Sequence, residues 1–121
     1  MLIRLQELTK HIGGRTLFEG ANLGLNAGDR IGLVGPNGAG KSTIFNIITG
    51  GVRPNSGTVC FAGTDITHHS PHHRCRMGIG RSYQIPHPFA KMTVFENLLV
   101  GAVFGGALGE AEGQETCHQM L

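Results

Sequence analysis

Hydrophobic and polar positions alternate along the first part of the chain and then change period, and that change predicts the order of elements. From Met1 to Leu8 the alternation is loose, with Ile3 and Leu5 on one side, and between Ala21 and Asn26 Leu23 and Leu25 share a face. Both stretches suit half-buried strands, because strand side chains point to opposite faces with a period of two. Gly13-Gly14 predicts the turn between them. After Asn26-Ala27-Gly28-Asp29, the nearly continuous apolar run Arg30-Ile31-Gly32-Leu33-Val34 predicts a buried parallel strand. Beyond Gly40 the period becomes helical: Ile44, Ile47 and Ile48 fall on one face, and Gly50-Gly51 predicts a left-handed stop. Turn signals at Pro54-Asn55-Ser56-Gly57 and Ala62-Gly63-Thr64-Asp65 bracket a short strand, Thr58 to Phe61. Ser70-Pro71 predicts a helix running to Met77, and Thr93 with Glu96 forms a capping box ahead of Leu98, Leu99 and Val100. From position 101 onward glycine recurs at 101, 105, 106, 109 and 113. Each costs roughly 1 kcal/mol of helix stability against alanine, so residues 105–121 are expected to form a Gly-rich, poorly structured tail.

Composition narrows the function classes. A chain of 121 residues with 20 glycines, 40% hydrophobic and 15% charged, allows one modest domain rich in turns and backbone-lined sites. The net charge is +2 and the lysines and arginines are scattered, so no nucleic-acid partner is indicated. Cys60, Cys75 and Cys117 are odd in number and widely spaced, which argues against a disulfide framework and for the cytosol. No apolar run reaches about 18 residues and no signal peptide is read, so a membrane role is expected to come through a partner.

The chemistry is concentrated in GPNGAGKST. Gly35, Pro36, Asn37, Gly38, Ala39, Gly40, Lys41 and Ser42 satisfy G-x-x-x-x-G-K-[ST] between a predicted strand and a predicted helix. The glycines let backbone N–H groups turn inward as a nest for a β-phosphate, and the helix start aims its positive dipole end at the same anion. Lys41 adds a point charge toward the β- and γ-phosphates, the Ser42 hydroxyl is placed to ligate Mg²⁺, and Thr43 to bond the α-phosphate. ATP with Mg²⁺ is therefore the expected cofactor. No N-K-x-D motif follows, which sets GTP switches aside.

With its flanks, IFNIITG, RPNSGTVCFAGTDIT, GIGRSYQIPHPF and MTVFENLLVGA, the chain resembles the ATP-binding subunits of ABC transporters from Leu2 to about Phe104, and within them the branched-chain amino-acid import type. The resemblance implies an α/β fold: a P-loop NTPase (RecA-like) core with an N-terminal antiparallel β-subdomain, truncated before the Walker B half, residues 1–104 being the N-terminal part of that domain. It implies that Gln84 is the Q-loop glutamine, a Mg²⁺ and water ligand beside catalytic Lys41, and that Ile85 to Met92 faces the transmembrane permease subunits. A second ATP-binding subunit, identical or not, is implied as well, with residence at the cytoplasmic face of the plasma membrane as a peripheral protein. The family's aromatic adenine platform corresponds here to Ile12, which offers apolar contact without ring stacking, so weaker and less selective base binding is expected.

Other signals weigh against full catalysis. HHSPHHRC, residues 68–75, places His72 and Cys75 one helical turn apart, but no further ligand pair completes four positions, and a solvated helix start is expected. No apolar run ends in Asp-Glu, no LSGGQ-like signature occurs and His118 stands too isolated to serve as the switch histidine. The chain is accordingly expected to be a fragment carrying the phosphate half of the domain. Two alternatives remain: a catalytically incompetent nucleotide-binding or assembly module, and a soluble P-loop kinase.

Overall fold

The computed structural model describes residues 1–82, 88–105 and 109–121. Two compact units are present, Met1–Pro71 and His72–Leu121. In the first, a four-stranded antiparallel sheet is ordered β2-β1-β3-β4, from β1 (Ile3–Ile12), β2 (Arg15–Leu25), β3 (Ser56–Phe61) and β4 (Thr64–Asp65). Gly13 and Gly14, both at positive φ, turn β1 into β2 as their sequence predicts. Helix α1 (Lys41–Thr49) closes on Gly50, whose left-handed φ of +93° lets its N–H reach the Asn46 carbonyl.

A bulge in β1 makes the core possible. Leu5 and Leu8 are three positions apart, so an unbroken strand would point them to opposite faces. The register steps three residues along β1 for two along both β2 and β3 at this point, and Glu7 takes a positive φ of +48°. That extra residue turns both leucines inward, where they are buried with Val59 and Ile66. Asn22 holds the bulge from β2: its Oδ1 accepts from the Glu7 N–H at 3.0 Å and its Nδ2 donates to Glu7 Oε1 at 2.6 Å. From β3, Gly57 lies so close that a Cβ there would sit 2.5 Å from the Glu7 carbonyl oxygen. The chain leaving α1 is tied to the same strand, Asn55 donating its N–H to the Thr9 carbonyl and accepting from the His11 N–H.

The parallel strand expected at Arg30–Val34 does not form. Residues 30–34 carry no strand assignment, and Ile31 and Val34 are 56% and 93% exposed. A strand buried on both faces needs ladder partners on both edges, and no described strand pairs with this run. The sheet that forms is the antiparallel one, and the phosphate loop with α1 is the portion of the α/β core present among the described elements.

In the second unit α2 (Pro71–Arg76) starts on the proline, and α3 (Val94–Val100) carries the capping box in full, Thr93 Oγ1 accepting from the Glu96 N–H and Glu96 from the Thr93 N–H. The backbone then widens into a π-helical turn, Gly101–Gly105. Residues 110–120, expected to be poorly structured, form helix α4 (Glu110–Met120). Packing outweighs propensity here: a Cβ at Gly113 would lie 3.2 Å from Leu99 and 3.3 Å from Val103, so the glycine permits close approach of the helix pair, and Cys117 is fully buried. Phe95 and His118 stack obliquely, ring centroids 4.7 Å apart. No described helix is long and apolar enough to cross a membrane.

Gly57→Ala should cost at least about 2 kcal/mol through left-handed strain plus collision with the β1 bulge. Gly63→Ala, equally left-handed at φ +82° but with open space around it, isolates the strain alone; urea midpoints of the two variants should differ, with Gly57→Ala the lower. A second prediction concerns Asp65, whose carboxyl lies below its ordinary value of 3.8, first because the Thr67 hydroxyl donates to it and next because the Thr67 N–H does. A lowered folded-state value adds stability above the unfolded value, and that gain is lost as pH falls through the folded one. Wild type should therefore exceed Asp65→Asn in urea midpoint at pH 7, and the gap should shrink on acidification below about pH 4.

Candidate functional site

The phosphate loop is seated by the β1–β2 hairpin. Gly38 and Gly40 adopt φ of +84° and +98°, angles that side-chain-bearing residues rarely hold. Gly40 also presses on β2: a Cβ there would touch the Phe18 ring and Leu17 at 3.4 to 3.6 Å. Between them the Ala39 N–H donates to the Pro36 carbonyl at 3.2 Å, turning the loop around Asn37. Lys41 bridges the loop's two ends, its Nζ donating to the Gly35 carbonyl at 2.5 Å.

The start of α1 is what gives the site its sign. An α-helix leaves its first N–H groups without intrahelical acceptors, and proteins ordinarily cover them with a Ser, Thr, Asp or Asn cap. Here the cap is Gly40, no side chain caps the helix, and the first turn carries no acidic residue. Lys41, Ser42 and Thr43 thus present N–H groups and a helix dipole with no carboxylate to answer them. Such a terminus fits an external anion.

These groups converge on one open cleft of about 310 Å³, lined by Asn37, Gly38, Gly40, Lys41, Ser42 and Thr43 on one wall and by Ile12 and Leu17 on the other. The hairpin brings Ile12, half exposed, to the edge of this cleft. A polyphosphate fits the first wall through backbone donors and the Lys41 ammonium, and the exposed Ser42 hydroxyl is available to a divalent cation. No carboxylate lines the cleft among the described residues.

Gln84 falls in residues 83–87, outside the described residues, as does part of the expected partner-facing stretch Ile85 to Met92. The described remainder is shaped by a residue that the sequence did not single out. The Asn97 side chain accepts from the Phe89 N–H at 2.8 Å and donates to the carbonyls of Phe89, Met92 and Thr93. One amide so fixes the backbone approaching α3, while Phe89 and Met92 remain 55% and 44% exposed. Its only signal was an amide four residues beyond the cap Thr93, which a helix pattern absorbs without remark. Among the described residues no group of three or more His, Cys, Asp or Glu side chains gathers to hold a metal, and this includes the stretch from His68 to Cys75.

The ABC transporter family profile matches residues 18–121. A probable branched-chain amino acid transport ATP-binding protein LivG from Methanocaldococcus jannaschii is 39% identical over 105 residues, covering 87% of this chain and 41% of that protein. A lipopolysaccharide export system ATP-binding protein LptB from Acidithiobacillus ferridurans is 36% identical over 120 residues, covering 99% and 49%. The crystal structure of the ADP conformation of an ABC-transporter ATP-binding cassette superposes with a TM-score of 0.75 at 36% identity, over 95% of this chain and 45% of that one. The chain thus spans less than half the length of the relatives it matches. A glycine-capped, acid-free helix start behind a complete phosphate-loop motif, together with a profile match over most of the chain, shows that the chain belongs to the ABC transporter ATP-binding family.

Proposed function

We propose that the chain is the nucleotide-gripping part of an ABC transporter ATP-binding subunit, acting in branched-chain amino-acid import through MgATP. The single observation that carries the reading is the α1 start, whose uncapped donors and Lys41 face one cleft that, among the described residues, no carboxylate lines. In this reading Gly35 to Thr43 hold the triphosphate and Ser42 gives its hydroxyl to Mg²⁺, with Gln84 as the second Mg²⁺ and water ligand. Bound MgATP supplies the phosphoryl group whose hydrolysis drives transport; the chain's own part is to position and neutralise the phosphates. The import assignment is supported by likeness to LivG, and the export protein LptB at similar identity makes cargo the finer part of the proposal.

Transmembrane permease subunits and a second ATP-binding subunit are the partners this reading requires, at the cytoplasmic face of the membrane. The exposed Phe89 and Met92, on backbone fixed by Asn97, suit a permease contact because pre-ordered apolar anchors lose little freedom on docking. Residues 1–104 form the N-terminal part of the ATP-binding domain in this proposal.

A second reading, nucleotide binding without turnover, is favoured by one observation: among the described residues the cleft lining includes no carboxylate to hold Mg²⁺ beside Ser42 or to orient water. The two readings part on one experiment. Lys41→Ala should weaken MgATP binding by about 10- to 100-fold, the loss of one charge-assisted phosphate contact. Linear, Lys41-dependent phosphate release by the wild type would select the enzyme; binding without release would select the second reading; equal binding by wild type and Lys41→Ala would refute both.

A further inference from the structure

We propose that Asn37 is a site of spontaneous deamidation, a modification that retires the phosphate loop and that a bound polyphosphate prevents. The consequence for binding rests on the phosphate-loop reading above; the reactivity rests on the turn that holds Asn37 and Gly38.

Asn37-Gly38 is the one Asn-Gly pair in the sequence, and glycine, without a Cβ, is the successor that least obstructs attack on an asparagine side chain. Both residues are exposed, and Asn37 lines the cleft. Among the described residues nothing hydrogen-bonds the Asn37 side chain or the Gly38 N–H, so electrophile and nucleophile are both unengaged. The peptide between them is loosely held: the Ala39 N–H spans it to the Pro36 carbonyl at 3.2 Å, and Arg15 Nη2 donates to the Gly38 carbonyl at a long 3.4 Å. A Cβ at Gly38 would meet nothing within 4 Å, so the space there is open to the rotation that brings the Gly38 nitrogen to Asn37 Cγ. Asn55 is the contrast. Its small successor Ser56 also permits attack, but Asn55 Oδ1 accepts from the His11 N–H at 2.8 Å and Ser56 is paired with Thr9 in the sheet.

The reaction needs only water. The Gly38 nitrogen, having lost its proton, attacks Asn37 Cγ; a C–N bond forms, the Cγ–Nδ2 bond breaks, and Nδ2 takes up a proton and leaves as ammonia. Water then opens the five-membered imide at either carbonyl, giving aspartate or isoaspartate, and nothing is oxidised or reduced. Either product puts a carboxylate on a cleft wall that has none among the described residues, where it repels the phosphates that Lys41 and the α1 start attract. Isoaspartate also carries the backbone through the former side chain, which adds a methylene before Gly38 and displaces its N–H from the loop. A polyphosphate gripped by the loop amides holds the Asn37–Gly38 peptide still and so blocks the attack.

The test is incubation of the full chain, wild type and Asn37→Gln, in mildly alkaline buffer with and without magnesium tripolyphosphate, followed over time by peptide mapping and by calorimetric titration with the same ligand. Glutamine must close a six-membered ring, a far slower step. Asn37 should convert to aspartate and isoaspartate faster than Asn55 or any other asparagine, and the converted chain should bind tripolyphosphate at least about tenfold more weakly than the fresh chain. Saturating tripolyphosphate should slow the conversion at least about tenfold, because only the free fraction reacts. Asn37→Gln should keep through the incubation whatever affinity it starts with. Conversion at Asn37 no faster than at Asn55 overturns the proposal, as does a converted chain that binds as well as the fresh one, or conversion that the ligand leaves unchanged in a chain that binds it. Equal decay of Asn37→Gln would trace the loss to unfolding and overturn it too. A fresh wild type that fails to bind tripolyphosphate refutes the phosphate-loop reading, and with it the consequence proposed here, before any incubation begins.

Discussion

Uncapped amide donors at the start of α1 are the constraint on which the rest of the site depends. A helix terminus is costly to leave without acceptors, and most sequences meet that cost with a polar cap or an early carboxylate. This chain does neither: Gly40 caps the helix and its first turn is free of acid. The deficit is tolerable only where solvent or an anion reaches the terminus, and the open cleft beside Ile12 and Leu17 provides that access. Lys41, bridging to Gly35, adds charge at the same point.

Holding this terminus in place is the work of the antiparallel sheet. The bulge at Glu7 lets Leu5 and Leu8 share one core, and Asn22 and Gly57 clamp it from the two neighbouring strands. With β1 so fixed, the hairpin beyond it carries Ile12 and Leu17 to the cleft, while Phe18 and Leu17 lie against Gly40. Strand irregularity and candidate site are connected through the β1–β2 hairpin.

Much of this was legible in the sequence, for physical reasons that differ by element. The loop motif, α1 with its glycine stop, the Gly13-Gly14 turn and the Thr93–Glu96 capping box are local: each is specified by a few adjacent residues whose backbone angles or hydrogen bonds leave little choice. The Arg30–Val34 strand was misjudged because hydrophobicity announces a demand for partners, and no described strand meets it. Helix α4 was misjudged in the opposite sense, since glycine propensity counts the cost of Gly113 but not the close contact with Leu99 and Val103 that its small size allows. Glu7, Arg15 and Asn97 were invisible as structural devices because their partners lie on a neighbouring strand, in the phosphate loop or in the segment before α3. Polar residues reveal such roles only when the fold brings the other half of each hydrogen bond to them.

The central claim is that the first-turn N–H groups of α1 bind phosphate, and amide hydrogen exchange reads those groups individually. On adding magnesium tripolyphosphate to the wild-type chain, exchange at Gly38, Gly40, Lys41, Ser42 and Thr43 should slow by at least about tenfold, while the amides of β3 keep their rates. Unchanged exchange across residues 38–43 at a saturating concentration, with or without magnesium, would contradict the account.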